Sequence, residues 1–162
     1  MQAAAQLGAA AGARVILNPA PARSLPNDLL RRLYLLTPNE SEAELLTGIA
    51  VKNDAGVAKA ADKLLARGVQ NVIITLGARG AFVAGKEGRG FVSGFKVKPV
   101  DTTGAGDMFN GTLAVALTEG KSLLEAARFA SAAAAISVTR LGAQTSAPTR
   151  KEIDRLLARN GR

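Results

Sequence analysis

The sequence predicts an α/β fold built on a doubly wound, mostly parallel sheet with a β-hairpin. Three observations carry that reading. Short aliphatic runs without polar alternation, such as "ARVILN" (13–18) and "NVIITLG" (71–77), have the texture of strands covered on both faces. Segments of helical periodicity alternate with them, as parallel crossovers require. In "GAFVAGKEGRGFVSGF" (80–95), two apolar runs flank a Gly- and charge-rich turn, the pattern of a hairpin. At 162 residues, 48% of them apolar, the chain can bury the core of one such domain.

The elements follow in chain order. Residues 2–11 form a small Ala-rich helix, 13–18 a strand, "PNDLLRRL" (26–33) a short helix and "YLLT" (34–37) a second buried strand. "PNESEAELLTG" (38–48) opens a helix with acidic residues in its first turns, where they meet the positive end of the helix dipole, and Gly48 stops it. Asp54 to Ala66 is another helix, closed by Gly68, and the strand 71–77 and the hairpin come next. From Gly104 to Thr118, Phe109, Leu113, Ala116 and Leu117 share one helical face. Helices over 122–138, with its run "AAAAI", and over about 149–159 complete the order α-β-α-β-α-α-β-ββ-α-α-α. In such sheets ligands sit at the carboxyl ends of the parallel strands.

Composition narrows the chemistry. Cysteine and histidine are both absent, which removes disulfides, thiolate nucleophiles and the usual general base. Acid–base work then falls to the 13 Asp and Glu, to Lys or to Tyr34. The net charge of +8 suits anionic partners, but the basic residues are scattered and only Tyr34 and five Phe offer rings for base stacking, so no nucleic acid is expected. No apolar run reaches the length of a membrane span and no basic leader precedes the first apolar residues, so no membrane contact and a cytoplasmic location are expected.

The stretch "VDTTGAGDMFNG" (100–111) holds the most specific signal. A helix start leaves backbone N–H groups unpaired, and Gly104 and Gly106 let a phosphate approach them closely. Asp107 follows at once; a carboxylate beside a phosphate has a use if it takes a proton from a hydroxyl. The same residues are also accounted for as a tight turn and an N-terminal helix charge. No G-x-x-x-x-G-K-[ST] loop and no protein-kinase H-R-D or D-F-G set occurs, which excludes those phosphate-handling designs.

On "DTTGAGD" (101–107), of the form D-T-x-G-A-G-D, the chain resembles the ribokinase family of carbohydrate kinases, the phosphofructokinase-B type. "NPAPA" (18–22), "PNESEAELLTG" (38–48), "TLGARG" (75–80) and "AAAAISVTRLGAQTSAP" (132–148) stand in the order and at the spacing of the ribokinase branch, so the likeness covers nearly the whole chain. It implies a partial ribokinase-like fold and transfer of a phosphoryl group from ATP to the 5-hydroxyl of D-ribose, with ATP and a pentose sugar as partners. It implies Asp107 as general base and the amides of Gly104, Ala105 and Gly106 as an anion hole. Asn39 and Glu42 are implied as support for the phosphates and Mg²⁺, with helix capping as the other account of the pair. Asn39, Thr75, Gly77, Gly80 and Ser131 are implied as nucleotide-binding; for Thr75, Gly77 and Gly80 a plain strand-to-turn exit competes. A K⁺ site is implied at Asp101, Thr103, Ser137, Arg140, Gly142 and Ser146, partly through backbone carbonyls, where the residues alone read as a turn former at Asp101 and a surface charge at Arg140.

The resemblance also implies that residues 1–162 are the nucleotide-binding C-terminal part of such a domain. The N-terminal sugar-binding part and its β-stranded lid would be absent, and Met1 would correspond to an internal position. Two expectations follow: the C-terminal portion of an ATP-dependent ribokinase, or a catalytically silent truncated domain that binds nucleotide or a partner chain. Surfaces left open by the missing half would invite self-association.

Overall fold

The computed structural model describes residues 1–160. Its elements are α1 (Gln2–Ala10), β1 (Ile16–Leu17), α2 (Asn27–Leu30), β2 (Leu35–Leu36), α3 (Glu40–Thr47), α4 (Asp54–Ala66), β3 (Asn71–Thr75), β4 (Gly80–Gly85), β5 (Gly88–Ser93), α5 (Ala105–Thr118), α6 (Leu123–Ser137) and α7 (Arg150–Arg159). A single 3₁₀ turn, Gly77–Arg79, links β3 to β4. The five strands form one sheet in the order β1-β2-β3-β4-β5. β1 pairs parallel to β2 (Ile16 with Leu35) and β2 parallel to β3 (Leu35 with Asn71). The links from β3 to β4 and from β4 to β5 are too short for a parallel crossover, so these strands run antiparallel and the sheet is mixed.

The chain divides into two compact units, one of Met1–Leu76 with Phe82–Phe91, the other of Gly77–Ala81 with the chain from Val92 onward. In the first, β2 and β3 are buried on both faces, as their unbroken aliphatic character requires. Leu36, Val72 and Ile74 pack with Leu30, Leu33, Val57 and Leu64 in its core. Asn71 is the polar exception: its amide nitrogen donates to the Tyr34 carbonyl at 3.2 Å, while its oxygen lies against Gly85. Tyr34 is buried too, and its hydroxyl donates to Glu87 Oε2 at 2.8 Å. Burial first, and then the Glu87 bond, raise the phenol's pKa.

The second unit is a helical layer. Phe109, Leu113, Ala116 and Leu117 of α5 meet a face of α6 in which Ala126, Ala127, Ala130 and Ala133 are buried, and small side chains let the two helices lie close. α7 is tied on by charge. Arg140 bonds Glu152, Arg150 bonds Glu119 at 2.6 Å, and the Arg150 guanidinium stacks 4.7 Å from the Phe129 ring centre.

Glu152 accepts from the Thr149 N–H at 2.7 Å and from the Thr149 hydroxyl at 2.9 Å. The Thr149 N–H first, then Arg140, hold its carboxyl at a pKa of about 2 instead of 4.5. Because the folded value is the lower one, this contribution to stability is full above the unfolded pKa and is lost as the pH falls toward the folded one. Glu152→Gln is therefore expected to lower the urea midpoint at neutral pH, and its deficit against the parent chain is expected to shrink between pH 4.5 and about 2. A deficit that stays constant across that window would refute the assignment.

Candidate active site at the start of helix α5

Among the described residues four helices carry an acidic residue at the third helical position, and one of the four stands apart. Glu42 in α3, Glu125 in α6 and Glu152 in α7 each turn back and accept the N–H of their own N-cap residue, at 2.8, 2.9 and 2.7 Å. The caps are Asn39, Ser122 and Thr149. α5 differs. Its N-cap is Gly104, in the left-handed region at φ +75°, with no side chain to offer and no capping box. Asp107 therefore stands exposed, and among the described residues its carboxylate has no hydrogen-bond or ion-pair partner.

The amides of the same turn are mostly open. Ala105 N–H reaches the Thr102 carbonyl at 3.2 Å, so one of the three expected donors is engaged within the turn. Among the described residues the N–H groups of Gly104, Gly106 and Asp107 find no protein acceptor. The helix dipole adds its positive end there. Gly104 and Asp107 open onto a cavity of about 530 Å³ whose walls include Gly111 and Val115 of α5, Ala143 and Ile153.

Asp101 and the segment after α6 hold this turn in shape. Asp101 Oδ1 accepts the Thr103 N–H at 2.9 Å, the turn predicted for it, and Oδ2 accepts the Gly142 N–H at 2.9 Å. Those donors, Thr103 first, lower the Asp101 pKa and keep it anionic. Ala143 then lies against Gly104, where an added Cβ would come within 3.0 Å of the Ala143 Cβ. Of the residues expected around K⁺, Asp101, Thr103 and Gly142 are thus joined directly. Ser137 and Ser146 are buried, their hydroxyls donating to the carbonyls of Ala134 and Ala143 at 2.8 Å each. Arg140 is half-buried, and its guanidinium bonds Glu152 and the Ala147 carbonyl.

The remaining expected residues fall as follows. At the carboxyl ends of β2 and β3, Asn39 and Thr75 form a parallel bridge, and the Thr75 N–H donates to the Pro38 carbonyl at 2.9 Å. Asn39 and Glu42 close a complete capping box, with Glu42 N–H on Asn39 Oδ1 at 2.9 Å, so the capping account of this pair is realised. Glu42 is 93% covered, and Oε2 is the oxygen used; among the described residues Oε1 has no bond. Gly77 begins the 3₁₀ turn at φ +55°, exposed, with nothing within 4 Å of where a Cβ would stand. Gly80 is buried at φ +102°, and a Cβ there would lie 2.0 Å from the Val92 carbonyl oxygen. Ser131 is buried in α6.

The family model for the pfkB family carbohydrate kinases matches residues 1–150. The chain belongs to this family. Over 152 residues it is 50% identical to the ribokinase of Haemophilus influenzae, which covers 94% of this chain and 50% of that protein. The pfkB chain also superimposes on the ribokinase of Thermotoga maritima with a TM-score of 0.83 at 48% identity, covering 94% of this chain and 52% of the other. On the Arabidopsis thaliana ribokinase complexed with ribose and ATP the TM-score is 0.88 at 38% identity, with 94% and 50% covered. The chain spans about half the length of the curated relatives it matches. No described helix is long and apolar enough to cross a membrane.

Two residues that shape this candidate site escaped the sequence reading. Glu152 lies beyond the 1–150 match and anchors Arg140; the T-x-x-E pattern of Thr149 and Glu152 signals a capping box but not its second partner. Ala143 acts only by seating Gly104, and no local pattern announces that contact.

Proposed function

We propose that the chain supplies the phosphoryl-handling part of an ATP-dependent sugar kinase, transferring the γ-phosphoryl of ATP to the 5-hydroxyl of D-ribose. The observation that carries the reading is the uncommitted Asp107 carboxylate beside open amides, in a chain whose other third-position acids are all spent on caps. The similarity to ribokinases, one of them complexed with ribose and ATP, supports ribose as the alcohol in this reading.

In this reading Asp107 accepts the hydroxyl proton as the sugar oxygen forms its bond to the γ-phosphorus and the bond to the ADP oxygen breaks. The N–H groups of Gly104 and Gly106 meet the charge on the transferring oxygens, helped by the α5 dipole. Ala105 lends its N–H only if the Thr102 bond gives way. Asn39, Thr75, Gly77, Gly80 and Ser131 would bind the nucleotide.

The donor sets fit the two expected cations. Among the described residues no cluster of three or more carboxylates exists, and Mg²⁺ asks for little protein: it keeps waters, takes phosphate oxygens and needs one or two carboxylates, for which Glu42 Oε1 is free. When bound, Mg²⁺ supplies charge neutralisation on the phosphates. Asp101, Thr103, Ser137, Arg140, Gly142 and Ser146 would hold K⁺ through carboxylate, hydroxyl and carbonyl oxygens, the hard donors such a cation takes, with the Asp101 bonds to the Thr103 and Gly142 N–H groups drawing part of the set together. An ATP-consuming reaction in a cysteine-free chain also suits the cytoplasm.

Calorimetric titration of the chain with ATP and Mg²⁺ tests the first half of the proposal, with saturable heat as the expected result. A coupled ADP-release assay with ribose and K⁺, run on a chimera in which this chain replaces the 152 matched residues of the Haemophilus influenzae ribokinase, tests the second. Absence of binding heat, or a chimera that releases no ribose-dependent ADP, would overturn it.

A further inference from the structure

Glu152 makes a bond that its cap does not need. Its Oε2 accepts the Thr149 N–H and hydroxyl, which closes the capping box of α7. Its Oε1 accepts from the Arg140 guanidinium as well. Glu125 closes the same box on α6 through Oε2, and among the described residues no arginine pairs with it. Arg140 stands near the start of the loop 138–149 and also donates to the Ala147 carbonyl near its end, at 3.5 Å. The half-buried Arg140–Glu152 pair therefore clips the two ends of this loop together.

The loop carries one flank of the candidate site. At its start the Val138 carbonyl accepts the N–H groups of Val100 and Asp101, at 2.7 and 3.1 Å. Further on, Gly142 donates to Asp101 Oδ2 and Ala143 seats Gly104. Arg140 lies between these attachments, and all of these residues belong to the second unit.

We infer that the Arg140 side chain and Glu152 are positioning residues for phosphoryl transfer: clipped together, they hold the loop against Asp101 and Gly104 and so fix the aim of the open Gly104 and Gly106 amides. The catalytic consequence rests on the proposed reaction; the clip itself does not. Neither side chain touches the reacting groups. With the clip released the amides are still present but are misdirected, and donors aimed at developing charge lose effect steeply when displaced. A purely structural pair would hold α7 to its unit and leave the site unaltered.

Hydrogen exchange of the Gly142 and Thr103 amides in the chain, followed by NMR, reads the clip without nucleotide or turnover. Glu152→Gln keeps a side chain able to close the cap and removes the charge that holds Arg140. Arg140→Met removes the guanidinium and serves as the second variant should the first fold poorly. Each is expected to speed exchange of the two amides about 10-fold, the protection that one hydrogen bond gives. Glu125→Gln alters the equivalent cap of α6 and is expected to leave both amides at the parent rate. In the Haemophilus influenzae chimera, well below its melting midpoint, each clip variant is expected to lower the ribose-dependent rate about 10-fold with the KM for ribose unchanged. The double variant is expected to be no slower than either single one, as for two groups that act as a unit. Parent-like exchange in both clip variants overturns the inference, and so does equal acceleration in Glu125→Gln, which would make the pair a stability element only. Full turnover in variants whose amides exchange fast overturns the positioning role. A chimera inactive in its parent form counts against the proposed reaction, while the exchange rates still decide the clip.

Discussion

Replacing Asp107 by Asn is expected to slow ribose phosphorylation by the chimera by about 10²–10⁴-fold, the range that general-base catalysis contributes. ATP affinity is expected to stay as it was. The two outcomes separate because Asn keeps the size and position of the side chain and leaves the turn's amides untouched, while it cannot take up a proton at neutral pH. Folding offers no competing explanation: the carboxylate is exposed and closes no cap, so the substitution removes no described contact. The contrast with Glu42 is instructive, since Glu42→Gln would perturb a reciprocal cap and blur stability with function. The ADP-release assay gives the rate and calorimetry the affinity. Turnover that survives in Asp107→Asn would place the base elsewhere; a joint loss of rate and ATP binding would make Asp107 a structural residue.

The second large effect concerns two glycines read together in "TLGARG". Gly80→Ala is expected to destabilise the chain by about 2–5 kcal/mol, combining left-handed backbone strain with overpacking, because the new methyl would lie 2.0 Å from the Val92 carbonyl oxygen and 2.5 Å from the Gly94 nitrogen. Gly77→Ala is expected to cost only about 1–2 kcal/mol, since its φ of +55° disfavours a side chain but the space is open. A nucleotide-binding part for Gly77 predicts that ATP affinity falls in Gly77→Ala well beyond this modest loss of stability. Thermal melts and calorimetry on the two variants check both statements. A Gly80→Ala chain as stable as the parent would contradict the packing described for this turn.

Most of the fold was legible. The unbroken aliphatic runs at 34–37 and 71–77 became β2 and β3 because strands buried on both faces have no polar side to display. The acidic first turn of 38–48 marked a true helix start, and Asn39 caps it. The first two strands are shorter than their apolar runs suggest, two residues each, since ladder pairing ends before the hydrophobicity does. At the site, local chemistry was readable and long-range chemistry was not. The free turn at Gly104 could be read from G-x-G-D, and the capping of Glu42 was one of two accounts that its N-x-x-E pattern left open. The Gly142 bond to Asp101 spans 41 positions, and the Arg140 pair with Glu152 joins a loop to a helix; neither leaves a periodic mark.

The buried ring of Tyr34 has a practical use. It is the chain's one tyrosine, there is no tryptophan, and both it and the Glu87 that accepts its proton belong to the first unit. Absorbance and emission in the tyrosine band, at longer wavelength than the phenylalanines absorb, thus act as an optical reporter for the first unit, while the melting of α5–α7 has to be followed by helical ellipticity instead.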